Sequence, residues 1–89
     1  MATVSFTANI QRHVPCPSMT VSGRTVRDLL NAVFAENAKA RGYVLDDQGA
    51  LRRHMVVFIN GRPLRDRVGL SDEVADGAHV CVMQALSGG

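Results

Sequence analysis

Met55-Val56-Val57-Phe58-Ile59-Asn60-Gly61-Arg62-Pro63 is the stretch that decides the fold. Five consecutive apolar residues are too few for a buried helix and too apolar for a half-wet strand. Residues 55–59 therefore read as a strand in the middle of a sheet. Asn60-Gly61 follows at once. Both central residues of a type I′ turn need positive φ, which asparagine and glycine adopt most readily, so the chain doubles back as a hairpin. Residues 62–65 make the short return strand. Pro63 has no N–H for a ladder bond, which assigns that strand to an edge.

Upstream, Thr25-Val26-Arg27-Asp28 opens a helix, with Thr25 as N-cap and Asp28 at the reciprocal capping position. Val26, Leu29, Leu30, Val33 and Phe34 follow at helical spacing and form one apolar stripe. Lys39 and Arg41 suit the end of this helix and Gly42 suits its C′ position, so the pattern predicts a helix over 26–41. Residues 43–50, with Asp46, Asp47 and Gly49, read as a loop. At the N-terminus, residues 4–10 alternate strictly: Val4, Phe6, Ala8 and Ile10 share one face, and this predicts a half-buried strand. Residues 12–17, with Pro15 and Pro17, form a turn, and 18–22 a second strand.

Downstream, residues 67–76 read as a connection with one helical turn near Leu70-Ser71-Asp72. Asp76-Gly77 is a tight turn and residues 79–85 are the last strand. The order is strand, strand, helix, strand, short strand, strand. One helix stripe must cover one sheet face, so the class is α+β.

The chain has 89 residues, enough for one modest core. No apolar run approaches the ~20 residues of a membrane span. Met1 to Ser5 lacks the basic start and apolar stretch of a signal peptide, which makes the cytoplasm the expected location. Two cysteines are no disulfide framework. Cys16 sits on a loop between prolines. Cys81 sits within an apolar strand, where a buried, inert thiol is expected; His79, two positions away on the same strand face, leaves an activated thiol open. His13, His54 and His79 are scattered, with no spacing that suggests a metal site or a catalytic set. Ten basic residues, nine of them arginine, face eight acidic ones, for a net charge of +2. With three Phe, one Tyr and no Trp there is little to stack on bases, so no nucleic-acid partner is expected. A solvated face, or an acidic protein partner, is the better use of the arginines.

The sequence ends Leu86-Ser87-Gly88-Gly89. Glycines have no side chain to pack, so residues 86–89 are expected to form a mobile tail beyond a body spanning 1–85. Four extended residues reach roughly 13 Å. Such a tail is slim enough for a narrow channel and carries an uncrowded carboxylate. A chance glycine pair, or an added linker, is the competing reading. Residues 55–59 and 80–83 are apolar on both strand faces. One face goes under the helix. The other, carrying Val56 and Phe58 or His79, Cys81 and Met83, is either covered by the 43–54 loop or left open as a docking surface.

The element order, the helix opening at Thr25, the Val57-to-Arg62 hairpin, the Ala75-Asp76-Gly77 turn and the Gly88-Gly89 ending together resemble the ubiquitin-like sulfur carriers. These include the small subunit of molybdopterin synthase and the carriers of thiamine and cysteine biosynthesis. The 43–54 region looks most like the cysteine-biosynthesis type. Ala85-Leu86 departs from the proline and valine that many molybdopterin-type members carry there. The resemblance implies a β-grasp fold: a mixed sheet of about five strands on one main helix, the last strand central. It implies a carrier and not an enzyme. An ATP-dependent activating enzyme would adenylate the Gly89 carboxylate, a persulfide donor would supply sulfur, and an acceptor synthase would consume it. No permanently bound cofactor and no metal are implied; ATP belongs to the activating enzyme. Gly89 is then the reacting residue. Gly88, Ser87, Leu86, Val56, Phe58 and Met83 are the partner contacts. Two readings compete: a protein modifier forming isopeptide bonds through Gly89, with Lys39 the only internal acceptor, and a non-covalent binding module.

Overall fold

The computed structural model describes residues 1–85. Its elements are β1 (Ala2–Phe6), α1 (Ala8–Gln11), β2 (Met19–Val21), α2 (Val26–Glu36), α3 (Ala38–Val44), β3 (Met55–Ile59), β4 (Arg62–Pro63) and β5 (His79–Gln84). The five strands form one sheet in the order β2-β1-β5-β3-β4. β1 and β5 run parallel; every other pair is antiparallel. This mixed sheet, with its last strand central, is the β-grasp arrangement that the resemblance implied.

The core lies between the sheet and the helices. Val26, Leu29, Leu30, Val33 and Phe34, the stripe read from the sequence, are all buried on α2. They meet Val4, Phe6, Val57, Ile59, Val80 and Val82 from the sheet. Phe6 and Phe34 pack with ring centroids 6.2 Å apart. Each such side chain contributes about 1.5–3 kcal/mol by leaving water. The Asn60-Gly61 hairpin has the expected backbone, with φ of 50° and 84°. β4 is an edge strand, as Pro63 required.

Three expectations need correction. The first strand stops at Phe6, and residues 8–11 turn into α1. Phe6 and Ile10 are four apart, so one helical turn brings Ile10 into the core as well as an extended chain would. Ile10 is fully buried while Ala8 is exposed. The helix predicted over 26–41 is two helices. Asn37 breaks it: its side-chain Nδ2 donates to the Val33 carbonyl at 2.9 Å, taking the acceptor that its own backbone N–H would use. That N–H turns to Phe34 O instead, and φ/ψ at Asn37 is −138°/63°. Gly42 consequently lies inside α3 and does not terminate a helix. Thr25 caps α2 as expected, accepting from Asp28 N at 3.2 Å; the Asp28 carboxylate reaches back to Arg24 N.

The third correction concerns residues 64–77, where the single turn expected near Leu70-Ser71-Asp72 lies earlier, over 67–69, closed by Leu70 N donating to Asp66 O at 3.0 Å, and no helix follows it. The Asp66 carboxylate accepts from Val68 N, Gly69 N, Ser71 N and Ser71 Oγ, and so folds the loop around itself. Asp72 holds Arg65 N and Asp66 N in the same way. Leu70, fully buried, sits at φ 56°. Arg27 ties this loop to its neighbour by donating to Gly69 O, Val68 O and Gly49 O.

Candidate functional site at the end of the central strand

β5 has a strand on each side, so its position is determined by two ladders. The parallel ladder with β1 ends at Thr7 N→Val82 O, where the chain turns into α1. The antiparallel ladder with β3 runs further: Met55 pairs with Gln84, and Ala85 N donates to His54 O at 2.7 Å. A side-chain contact adds to this end. Tyr43 Oη, from α3, donates to Gln84 Oε1 at 2.9 Å. His13, just past α1, stacks on the Tyr43 ring at 5.4 Å and 25°. His13 and His54 therefore both belong to the surroundings of the last described residues, which sequence spacing did not reveal. Leu86, Ser87, Gly88 and Gly89, the expected tail, lie outside the described residues.

The outward sheet face carries the other predicted contacts. Register settles what the sequence left open. Val56 pairs with Met83, and Phe58 with Cys81, so both candidate sets share one face. Pro63, opposite Phe58, extends it. Val56, Phe58 and Cys81 are half-buried, and Met83 is 37% exposed. The 43–54 segment does not compete for this surface: Tyr43 and Val44, expected in the loop, are the last turn of α3, and the loop itself begins at Leu45. Its Leu45 and Leu51 pair with each other and are buried in the core on the helix side. The loop is folded about Asp46 Oδ1, which accepts from Gln48 N and Ala50 N.

Cys81 is thus not the buried thiol that its apolar strand suggested; it looks outward because outward and inward residues alternate along β5. Its neighbour His79 is engaged through Nε2 with Ser5 Oγ at 2.9 Å. Cys16 is the fully buried cysteine, and desolvation raises its pKa to about 11. Among the described residues, no group of three His, Cys, Asp or Glu is disposed to hold a metal ion.

Several arginines brace loops. Arg52 donates to Gly42 O, and Arg67 to Arg52 O and Arg53 O, besides the Arg27 contacts above. Among the described residues the one ion pair joins the terminal amine of Met1 to Asp76. A cleft of about 280 Å³ lies at the β4 edge, lined by Ile59, Arg62, Pro63, Arg65, Asp72 and Glu73. Its charges are of both signs. No helix among the described residues is long and apolar enough to cross a membrane.

The chain matches the ThiS family over residues 12–89. No match was found among curated proteins. A chain of the Amycolatopsis orientalis BexX/CysO complex superposes with a TM-score of 0.82 at 27% identity, covering 100% of both chains. CysO of Mycobacterium tuberculosis superposes with a TM-score of 0.80 at 25% identity, covering 97% of this chain and 100% of that one. SAMP1 from Haloferax volcanii gives 0.78 at 24% identity, covering 99% and 98%, a likeness of fold.

Proposed function

Because the chain belongs to the ThiS family of small ubiquitin-like sulfur carriers, we propose that it carries sulfur as a thiocarboxylate on Gly89. The observation behind this reading is the firm anchorage of the central strand at Gln84 and Ala85, directly before a sequence ending in Gly88-Gly89. The body spanning 1–85 presents the terminus, and residues 86–89 enter a partner's active site.

The chemistry is supplied by partners. The Gly89 carboxylate attacks the α-phosphorus of ATP in an activating enzyme, releasing pyrophosphate and leaving an acyl adenylate. A sulfide equivalent, delivered by a persulfide donor and a reducing thiol, attacks the acyl carbon. The C–S bond forms, the C–O bond to AMP breaks, and AMP departs with that oxygen. The thiocarboxylate then serves as the sulfur nucleophile for an acceptor synthase. Glycine at 88 and 89 leaves the acyl carbon uncrowded. Val56, Phe58 and Met83, with Cys81 and Pro63 beside them, form the surface on which these enzymes dock. CysO of Amycolatopsis orientalis occurs in a complex with BexX, which supports a carrier that works against a partner. ATP chemistry of this kind sets the protein to work in the cytoplasm.

Intact mass spectrometry tests the reading. Incubation with the cognate adenylating enzyme, ATP and a sulfide source should exchange one oxygen of the protein for sulfur. Removal of Gly88-Gly89 should abolish the exchange and leave the circular dichroism spectrum unchanged. Thiolation of the shortened chain would overturn the proposal. The likeness to SAMP1, a small archaeal modifier protein, supports a second reading, isopeptide transfer through Gly89. Lysine adducts released by an isopeptidase would favour it.

A further inference from the structure

We propose that the outer edge of β2, centred on Thr20, is a self-association surface through which two copies of this chain join their sheets. This surface does not depend on the sulfur-carrier reading.

The sheet has two outer edges, β4 and β2. They differ in what they offer a further strand. At β4, Leu64 N donates inward to Val57 O, so the alternate residues 63 and 65 turn their backbone outward. Pro63 has no N–H, and the Arg65 N–H is taken by the Asp72 carboxylate at 2.9 Å. Those two positions give an incoming strand no donor. At β2 the parity follows from β1. Thr3 N donates to Ala78 O and Thr7 N to Val82 O, so Ala2 and Val4 turn their backbone groups the other way, to β2. Their partners there are Val21 and Met19. The N–H and C=O of Thr20 therefore both face away from the sheet. Ser18 and Ser22 flank it at the same parity, and all three residues are exposed. Among the described residues, no loop or helix backbone bonds to residues 18–22. The edge also lacks protection. Residues 17–23 carry no charge, and β2 holds no proline, the two devices that keep strand edges from pairing.

A second copy fits this edge. Turned about a two-fold axis through Thr20 and perpendicular to the sheet, β2 meets itself antiparallel. Thr20 opposes Thr20, and the two exchange both hydrogen bonds. Met19 opposes Val21 on the helix side, where Met19 is only half-buried and gains apolar cover. On the outward side the Thr20 hydroxyl, 3.3 Å from Thr3 Oγ1, gains a matching threonine. With no charge in the segment, nothing repels. Because β4 is blocked, each copy spends its one open edge and growth stops at two. Val56, Phe58 and Met83 lie on β3 and β5, separated from the junction by β1, and stay free. So short a strand buries less than the ~1,200 Å² of a standard interface, which sets a weak Kd of about 0.1–1 mM.

Sedimentation equilibrium of the full chain tests this, from about 10 µM to about 2 mM, with a reducing agent so that Cys81 cannot cross-link. The average mass should rise from that of one chain towards that of two and no further. Thr20→Lys and Thr20→Glu each set like charges face to face and should each weaken association by about ten-fold or more. Both positions are exposed, so circular dichroism should be unchanged. An equimolar mixture of the two variants should associate again, since opposite charges then meet across the axis. Phe58→Asp, on the other surface, should associate as wild type does. A wild type that stays monomeric at about 2 mM overturns the proposal. So does growth beyond two copies, association unaltered in Thr20→Lys, a mixture that stays monomeric, or loss of association in Phe58→Asp.

Discussion

Two glycines in this chain should respond to the same substitution with opposite signs. Gly61 lies at φ 84° in the β3–β4 hairpin; Gly42 lies within α3 and has no positive φ. A Cβ built on either meets nothing within 4 Å. Packing therefore drops out, and only the backbone decides. Alanine at position 61 must hold a left-handed conformation, which costs about 1–2 kcal/mol. Alanine at position 42 restricts the unfolded chain and suits a helix, a gain of about 0.5–1 kcal/mol. For a domain of this size, 1 kcal/mol shifts Tm by about 4–8 °C. Gly61→Ala should thus melt about 4–16 °C below wild type, and Gly42→Ala about 2–8 °C above it. Calorimetry measures both, and urea denaturation checks that the m-value is unchanged. A lower Tm for Gly42→Ala would refute the reasoning, because it would mean that α3 ends at residue 41 on a left-handed glycine. Equal shifts of one sign would refute it equally.

Charge on the outward face should separate docking from folding. Phe58→Asp is expected to raise KM for activation by about ten-fold or more while moving Tm by only a few degrees, since Phe58 is half-buried and faces away from the core. An unaltered KM would exclude this face from the interface. The Asp66 loop should confer an acid limit. The hydrogen bond from Ser71 Oγ, then the Gly69 N–H and weaker ones, hold the Asp66 pKa at about 2, below the ordinary 3.8. A folded-state pKa below the unfolded one contributes stability above pH 3.8 that is lost as pH falls towards 2. Urea midpoints measured from pH 5 to pH 2 should therefore fall more steeply for wild type than for Asp66→Asn, which has no proton to bind; parallel curves would contradict this.

Much of the architecture was legible because each signal had one physical meaning. Asn60-Gly61 before Pro63 could only be a hairpin ending on an edge. The stripe from Val26 to Phe34 could only be a helix face. What escaped were choices between near-equal local options. Phe6 and Ile10 satisfy the core from a strand or from a helical turn. Asn37 looks like an ordinary helix residue until its amide competes for the Val33 carbonyl. The loop after Arg65 is organised by carboxylates accepting backbone N–H groups, which leaves no periodic trace. At the candidate site, the apolar outward face was visible as composition but not as a surface. Only register shows that Val56 and Phe58 share a side with Cys81 and Met83. The Tyr43–Gln84 contact was invisible, since it needs α3, β5 and the segment after α1 to meet.

The strand order has a consequence for biogenesis. β5 joins two hairpin-like halves, β2-β1 and β3-β4, that share no backbone ladder without it. It is also the last of these five strands to leave the ribosome. Until it emerges, the nascent polypeptide has no way to close its sheet, and prematurely terminated translation products are left as two unjoined pieces open to proteolysis. Sheet closure and synthesis of residues 79–84 become one event, so that the two halves are joined only once their shared central strand has been made.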